Sequence, residues 1–468
     1  MKFQLALLLS LGLCPLLSFT QPANASPPNI VLILADDLGY GDLGCYGQTR
    51  FQTPNIDRLA ADGMRFTQHY AGSPVCAPSR CSLMTGKHTG NAYVRGNASN
   101  PAGPRDGQLP LLEGEETFVK YLQNAGYKTG AFGKWGLGNF DTEGSPLKHG
   151  FDEFFGYYDQ ILAHNSYPEF LMRNGEKVPL SNEVAYQSEE LWHRGLGSVS
   201  TQKTEYSNDI ILDEALAFID RNQDVPFFLY FPTTAPHDNG EAEVGERFEV
   251  PDNSKYQDRT WTADEKSYAA LVEHLDSHVG KIEAKLASLG LSGNTIILFS
   301  SDNGPLPAPN LNSNGNYRGH KRDVYEGGIR VPLIVKWPGK VRPGSQSNHI
   351  SAFWDVFPTL CEATGITQIP ETDGISFLPE LLDQDQMEHE FLYWEFHWWK
   401  PSMQAVRQGK WKALRYNPTG PIELYNLEKD MSEINDLSSQ YPEILDQMKA
   451  LLDKTRSHSA QFPLKSEE

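Results

Sequence analysis

Four short apolar runs, each ending abruptly in polar residues, constrain the fold of this chain more than any other feature. They are NIVLILA before Asp36, KTGAFG before Lys134, PFFLYFP shortly before His237, and NTIILFSS before Asp302. Unbroken runs of Val, Ile, Leu and Phe are typical of parallel strands buried on both faces. The runs therefore predict the strands of a buried, mostly parallel sheet.

Helical patterns lie between these runs. The segments are PNIDRLAADGM, EETFVKYLQNAGY, YSNDIILDEALAFIDRN and TADEKSYAALVEHLDSHVGKIEAKLASLGL. Strand alternating with helix predicts a doubly wound α/β domain, and ligands of such domains bind beyond the carboxyl ends of the strands. We therefore expect polar residues that are distant in sequence to converge on one rim of the sheet.

The sequence pattern changes from about Glu371 onward. The segments EFLYWEFHW, MQAVRQGKW and WKALRYN are typical of short antiparallel strands, and QYPEILDQMKALLDKTR predicts a closing helix. We interpret this part as a small α+β subdomain. The predicted division is a signal peptide over 1–25, a catalytic domain over 26–370 and a C-terminal subdomain over 371–468.

The first 25 residues resemble a secretory signal peptide. One Lys precedes a short, Pro-interrupted apolar run, and Ala23-Asn24-Ala25 is a small-residue cleavage site. We expect export to the periplasm or the medium. No later apolar run approaches the ~18 residues that a membrane helix needs, so no membrane insertion is expected.

The charge balance restricts the possible partners. The 468 residues include 40 Lys and Arg against 60 Asp and Glu, a formal net charge of −20. Such an acidic protein should repel nucleic acids and anionic membranes. An anionic substrate would have to bind in a local basic island.

Five cysteines fit neither a disulfide scaffold nor a C-x-x-C metal site, and four of them follow the cleavage site. Cys45, Cys81 and Cys361 are interpreted as buried small side chains or as one disulfide pair, with the pairing open. Cys76 differs because SPVCAPSRCSLMTG places it near the start of a predicted helix, where free N–H groups and the dipole favour anions. A cysteine nucleophile is conceivable there, but no Cys-His-Asn arrangement is legible.

Two strand ends carry oxygen ligands. Asp36 and Asp37 follow one run, and Asp302 and Asn303 follow another. Each pair alone is more typical of a turn. Together at neighbouring strand ends, without nearby Cys or His ligands, they indicate a site for Ca²⁺ or Mg²⁺.

Six motifs occur in an order that covers nearly all of the chain after the signal peptide: LADDLGYGDLGCYG, CAPSR, GKWGLG, APH, DNG and YEGGIRVP. This order resembles the formylglycine-dependent sulfatases of the alkaline phosphatase superfamily. The resemblance implies a mixed, mostly parallel sheet sandwiched by helices, with a smaller C-terminal α+β subdomain. It also implies hydrolysis of sulfate esters.

The resemblance assigns roles to individual positions. It implies that Cys76 is oxidised during export, by a formylglycine-generating maturation enzyme, to a Cα-formylglycine whose hydrate is the nucleophile. His237 would donate a proton to the leaving alcohol. The other roles are Ca²⁺ binding by Asp36, Asp37, Asp302 and Asn303, support of the hydrate by Arg80, and contacts to the sulfate oxygens from Lys134 and Lys321.

One position departs from the family pattern. Many members read Gly-Lys-Trp-His-Leu-Gly, and that histidine is the expected base for the step that releases sulfate, whereas Gly136 stands here. His320, His237 or a water are the alternatives for this base, and the residues alone do not rank them.

The segment GYYDQILAHNSYPEFLMRNG mixes side chains that stack on and hydrogen-bond sugars, and the resemblance is closest to sulfatases that act on carbohydrates. His164 and Asn165 are its candidate substrate contacts, with His320 as a further one. His397 is another candidate, whereas Trp398 and Trp399 fit a core position equally well.

The sequence therefore predicts an exported, Ca²⁺-dependent sulfatase acting on a sulfated glycan or its oligosaccharides. Three alternatives remain. They are a formylglycine-dependent phosphonate or phosphate ester hydrolase, a non-catalytic homologue that binds sulfated glycan, and a structural protein in which Cys76 forms a disulfide.

Overall fold

The computed structural model describes residues 27–97, 108–308, 310–397 and 401–466. The predicted signal peptide and Trp398 and Trp399 lie outside them. The strands are β1 Asn29–Ala35, β2 Met64–Tyr70, β3 Lys128–Lys134, β4 Glu153–Tyr157, β5 Phe170–Arg173, β6 Glu176–Pro179, β7 Glu183–Tyr186, β8 Ser198–Gln202, β9 Phe227–Pro232, β10 Thr295–Ser301, β11 Arg330–Lys336, β12 Ser345–Ser347, β13 Ser351–Ala352, β14 Leu392–Phe396, β15 Met403–Gln408, β16 Trp411–Arg415 and β17 Glu423–Asn426. The helices are α1 Pro54–Ala61, α2 Cys76–Thr85, α3 Phe118–Asn124, α4 Ser207–Arg221, α5 Ala263–Ser288, α6 Glu326–Ile329, α7 Val356–Ala363, α8 Leu378–Leu381 and α9 Pro442–Lys454.

A central sheet runs in the order β12-β2-β11-β10-β1-β9-β3-β4-β5-β6, with β13 beside β2. The strands β10, β1, β9, β3 and β4 are parallel to one another, whereas β11, β5 and β6 pair antiparallel with their neighbours. The predicted mixed, mostly parallel sheet with flanking helices is confirmed. The predicted runs form β1, β3, β9 and β10.

The centre of the sheet is buried because its strands carry apolar side chains on both faces. Every residue of β1, β9 and β10 is buried. Helix α4 packs on β3 and β9, and α5 packs on α1 and α4. Helix α5 begins after Thr262, whose hydroxyl accepts from the backbone N–H of Glu265 while the Glu265 carboxylate accepts from Thr262, so the first turn is capped reciprocally.

The C-terminal part forms a separate antiparallel sheet in the order β14-β15-β16-β17, and α9 packs on β15 and β16. This confirms the predicted small α+β unit. The indole of Trp394 on β14 donates to the backbone carbonyl of Ala71, which ties this sheet to the end of β2. The exact division at residue 370 stays a prediction.

Sequence reasoning missed the hairpin of β7 and β8 and the antiparallel extension β5–β6. Residues of β6, β7 and β8 are largely exposed or half-buried, so they form no continuous apolar run. The four cysteines of the described residues are free, so no disulfide involves Cys76. Within the described ranges, none of the helices combines the length and the apolar character required to cross a bilayer.

Candidate active site

The polar residues that follow the central strands meet at one rim of the sheet. Asp36 and Asp37 follow β1, Lys134 is the last residue of β3, and Asp302 follows β10. His237 lies five residues beyond the end of β9. Because these strands are parallel neighbours, their carboxyl ends bring the side chains together.

Cys76 is the first residue of α2 and is 3% exposed. Its Sγ lies 3.5 Å from Nζ of Lys134. Burial raises the pKa of the Cys76 thiol to about 11, although Lys134 acts in the opposite direction. An unmodified Cys76 is therefore a thiol at neutral pH, which makes a cysteine hydrolase a poor interpretation.

Arg80 and Lys134 neutralise two buried carboxylates. Nη2 of Arg80 lies 2.8 Å from Oδ2 of Asp302 and 3.3 Å from Oδ2 of Asp36. Lys134 donates to Oδ2 of Asp36 at 2.8 Å. Burial opposes ionisation of Asp36, but Lys134 together with Arg80 and Lys321 outweighs it and holds the pKa of Asp36 below its usual range.

Lys321 links the acidic cluster to His237. Its Nζ donates to Oδ2 of Asp37 at 2.6 Å and lies 2.8 Å from Nε2 of His237. Nδ1 of His237 lies 2.6 Å from the carbonyl oxygen of Asp238, which can only accept, so Nδ1 carries a hydrogen and Nε2 accepts from Lys321. Burial and the Lys321 charge hold the pKa of His237 well below its usual value.

The oxygen-rich side of this site fits a hard divalent cation. Oδ1 of Asp36 and Oδ1 of Asn303 are buried and have no hydrogen-bond partner among the described residues. Burial and the neighbouring Asp36 raise the pKa of Asp302 to about 7, and burial also raises the pKa of Asp37. A cation bound by these oxygens would satisfy the unpartnered atoms and relieve the carboxylate repulsion.

A cavity of about 750 Å³ opens above Cys76. His164 stacks on His237 with ring centroids 4.7 Å apart, and its Nδ1 lies 3.0 Å from Oε2 of Glu241. The hairpin β7–β8 and the short 3₁₀ helix Glu189–Arg194 form one wall. The lining includes Gln108, Gln160, His164, Tyr186, His237 and Glu241.

The structure does not place the side chain of Asn165 in the cavity. It is 0% exposed, and its Nδ2 donates to Oγ of Ser198 at 2.9 Å while its Oδ1 accepts from the backbone of Tyr167. The preceding 3₁₀ turn, Leu162–His164, directs these adjacent side chains to different surroundings. His164 lines the cavity, whereas Asn165 holds the loop together.

His320 and His397 also lie outside the cavity lining. Nδ1 of His320 faces its neighbour's backbone, 2.9 Å from the carbonyl oxygen of Lys321. His397 is buried, with Nε2 3.0 Å from Oε1 of Glu395 and Nδ1 3.0 Å from Oγ of Ser402. The structure therefore places neither histidine in the cavity, and their roles as substrate contacts stay predictions.

Sequence reasoning missed Gln108 and Gln160, whose Oε1 atoms are buried without a partner among the described residues. Gln160 lies beside Gly136: a Cβ on Gly136 would be 3.0 Å from Cγ of Gln160, and the Gly136 φ is +76°. At the position where the family motif has histidine, a side chain would therefore contact Gln160 and would require a left-handed backbone. The sequence signal that could have identified Gln160 is its position four residues before His164, in a segment rich in polar residues.

A family model described as Sulfatase matches residues 28–366 of this chain. The chain belongs to the sulfatase family. It is therefore a sulfuric ester hydrolase of the alkaline phosphatase superfamily. A second model, described as N-sulphoglucosamine sulphohydrolase, C-terminal, matches residues 315–458.

Curated and solved relatives support the same assignment. The sulfatase is 35% identical over 402 residues to the N-acetylgalactosamine-6-sulfatase of Sus scrofa, covering 83% of this chain and 71% of the relative. It is 31% identical over 512 residues to the N-acetylgalactosamine-6-O-sulfatase of Bacteroides thetaiotaomicron, covering 93% and 94%. A crystal structure of Ps i-CgsB in complex with k-i-k-neocarrahexaose superposes with a TM-score of 0.78 at 29% identity, covering 94% and 95%.

Proposed function

We propose that this sulfatase is an exported enzyme that hydrolyses sulfate esters of a glycan or its oligosaccharides, with Ca²⁺ and a formylglycine derived from Cys76. One observation carries the proposal. Ligand atoms of Asp36, Asp37, Cys76 and His237 all lie within 4.8 Å of one another, at the buried end of an open cavity. Residue 76 would thus stand beside both the proposed cation site and a side chain that can carry a proton.

The residues that would hold Ca²⁺ are Asp36, Asp37, Asp302 and Asn303. Their donors are carboxylate and amide oxygens, which hard cations prefer. When bound, the ion would neutralise negative charge on the sulfate oxygens. The fit rests on two buried oxygens, one on Asp36 and one on Asn303, that have no hydrogen-bond partner in the part of the chain that the structure describes.

Oxidation of Cys76 supplies the nucleophile in this proposal. The side chain is 3% exposed in the folded chain. A maturation enzyme therefore has to reach this residue before α2 packs into place. This agrees with modification of the chain during export.

Lys134 and Lys321 are proposed to bind the sulfate oxygens. Both ammonium groups are buried and border residue 76 or His237, so they form a local basic island in an acidic protein. Fixed cations that need not reorganise stabilise the charge that develops in the transition state. Arg80 holds Asp302 and Asp36 in position through its ion pairs with both carboxylates.

His237 is proposed to deliver a proton to the leaving alcohol. Its Nδ1–H is anchored on the Asp238 carbonyl, so the ring is oriented. Nε2 lies 2.8 Å from Nζ of Lys321, and the proton that it donates would come from solvent, because Lys321 stays charged to bind the sulfate. The base for the step that releases sulfate could be His237, His320 or a water. Of the two histidines, His237 lines the cavity and His320 does not.

The saccharide assignment rests on the named relatives and on the cavity wall. His164, Glu241 and Tyr186 present polar and aromatic groups suited to a sugar. His164 remains the proposed substrate contact of the two adjacent candidates.

The test uses enzyme co-expressed with a formylglycine-generating enzyme and supplied with Ca²⁺. Sulfate release from a panel of defined sulfated oligosaccharides is compared with turnover of aryl sulfate, phosphate monoester and phosphonate monoester substrates. The proposal expects the highest kcat/KM on a sulfated saccharide and loss of that activity in Cys76→Ala. Preference for the phosphonate would favour the ester hydrolase alternative, and binding without sulfate release would favour the non-catalytic homologue. N-terminal sequencing of the secreted protein should begin at Ser26.

A further inference from the structure

A second cluster of metal-binding side chains lies where α4 contacts α5. Nε2 of His274 and Nε2 of His278 lie 2.7 Å and 2.8 Å from the same oxygen, Oδ1 of Asp209. None of the three residues lines the cavity above Cys76. Within the described residues, this cluster and the active site are the two places where three or more His, Cys, Asp or Glu side chains converge in this way.

The spacing of the two histidines explains the convergence. Residues four apart on a helix share one face, so His274 and His278 present their rings side by side, with centroids 4.6 Å apart. Asp209 reaches the pair from the first turn of α4. Two imidazole nitrogens and one carboxylate oxygen from rigid helices are typical ligands of zinc and its first-row neighbours, in contrast to the oxygen-rich active site.

The ligand separations are close to those of a metal site. Bonds of about 2.0–2.1 Å in a tetrahedral site place ligand atoms about 3.3 Å apart. The two nitrogens would have to retreat from the carboxylate oxygen by roughly 0.5 Å. Asp209 is 43% exposed and His274 23% exposed, so both can shift and solvent can fill the remaining positions.

If the three residues formed only a hydrogen-bonded triad with a structural role, the burial of His278 would be less well explained than by a metal site. His278 is 1% exposed, and its Nδ1 is buried without a partner among the described residues. Among the described residues, the ring is therefore hydrogen-bonded through Nε2 and not through Nδ1. Burying an imidazole for one shared hydrogen bond stabilises weakly, whereas a metal bond at Nε2 would repay the burial.

We propose that Asp209, His274 and His278 bind a divalent first-row transition metal of the zinc type, with water completing the coordination. The site joins the first turn of α4 to α5. Asn208 next to Asp209 accepts hydrogen bonds from the hydroxyls of Thr233 and Thr234, in the loop that leads to His237. The metal would therefore fix the helical turn on which this loop rests.

In the test, Co²⁺ is the transition metal added to the full-length protein. Ca²⁺ is present at a saturating concentration so that it occupies the active site. Parallel samples carry Cys76→Ser, so that the thiol of the active site cannot bind the probe. The expected result is one equivalent of Co²⁺ with visible d–d absorption, no thiolate charge-transfer band, and a raised Tm. His274→Gln and Asp209→Asn should each weaken this binding by at least ~100-fold, because loss of a ligand exceeds the 10–100-fold effect of losing an outer partner.

His458→Gln is the matched control, since His458 is an exposed histidine outside the cluster. It should bind Co²⁺ like the parent protein. Circular dichroism shows whether each variant is folded, and His274→Gln is the primary variant because its partly exposed position tolerates change. Equal Co²⁺ affinity in His274→Gln and the parent, or no Co²⁺ binding in the Cys76→Ser background, would overturn the proposal.

Discussion

Arg80 donates two hydrogen bonds, from Nε and Nη2, to the single oxygen Oδ2 of Asp302, at 3.0 Å and 2.8 Å. The other oxygen, Oδ1, accepts from the backbone N–H of Asp37 at 3.2 Å. Both side chains are fully buried. The carboxylate of Asp302 is thus oriented by the protein itself, which prepares one edge of the proposed Ca²⁺ site before the ion binds.

Asp302→Asn should lower both Ca²⁺ content and activity. The change removes a negative charge from the site and gives Nε and Nη2 of Arg80 a neutral amide in place of the carboxylate. Breaking a buried ion pair costs about 3–5 kcal/mol of stability, and the remaining pair with Asp36 makes the expected loss smaller. Ca²⁺ per chain is measured by elemental analysis after dialysis, and the free energy of unfolding is measured in urea. Asp453→Asn is the control because Asp453 also pairs with an arginine, Arg415, but in the C-terminal part. Unchanged Ca²⁺ stoichiometry in Asp302→Asn would remove this residue from the ligand set.

Cys76→Ala should abolish sulfate release and leave the fold intact. The side chain is small and lies at the first position of α2, where alanine fits without strain. Sulfate release is measured by ion chromatography, and the Tm by circular dichroism. Cys45→Ser serves as the control because Cys45 is free and lies outside the cavity lining. Full activity of Cys76→Ala would refute the nucleophile assignment.

The centre of the fold and the deep part of the site could be predicted from sequence for one physical reason. Strands buried on both faces have to be continuously apolar, so the polar residues that follow each run mark the rim of the sheet. That reasoning placed Asp36, His237 and Asp302 correctly beside one another. It also identified β1, β9 and β10.

The outer part of the site could not be predicted in this way. His164 and Asn165 are adjacent, and no periodic pattern tells which of them faces the cavity at the end of a 3₁₀ turn. His397 is held by Glu395 and Ser402, and neither contact has a sequence signature. The wall built by β7 and β8 is half-exposed and lacks an apolar run.

Gly136→Ala should destabilise the protein more than Gly339→Ala. The two glycines have nearly the same φ, +76° and +75°, but an added Cβ at Gly339 meets nothing within 4 Å, whereas at Gly136 it lies 3.0 Å from Cγ of Gln160. Gly339→Ala therefore reports the left-handed backbone alone, about 1–2 kcal/mol. Displacing the Gln160 side chain should add about 0.5–1.5 kcal/mol at Gly136.

Urea unfolding of both variants measures this difference in free energy. The double variant Gly136→Ala/Gln160→Ala should be destabilised relative to Gln160→Ala by no more than the Gly339→Ala value. Equal losses in the two glycine single variants would show that Gln160 yields freely, and that Gly136 is required by its backbone alone.

A buried charge cluster joins helix α6, which leads into β11 of the central sheet, to the C-terminal sheet. Nζ of Lys412 on β16 lies 2.9 Å from Oε1 of Glu326 and 2.9 Å from Oε1 of Glu433. Burial raises the pKa of Glu433 from 4.5 to about 7, although Lys412 acts against this rise. Burial opposes ionisation of Glu326 as well, but Lys412, Arg330 and Arg407 together outweigh it and hold its pKa at about 2.

Glu433→Gln should reduce the loss of stability that the protein shows when the pH rises from acidic to neutral. Between the unfolded pKa of 4.5 and the folded pKa of about 7, the folded chain keeps a proton on Glu433 that the unfolded chain has released. Stability therefore falls as pH rises through this window, and a glutamine cannot contribute to that fall. The Tm of the parent and of Glu433→Gln is measured across the window, with Glu428→Gln as an exposed control from the same loop. The Tm of Glu433→Gln should decline less than that of the parent and of the control, and parallel curves for all three proteins would show that Glu433 is ionised throughout.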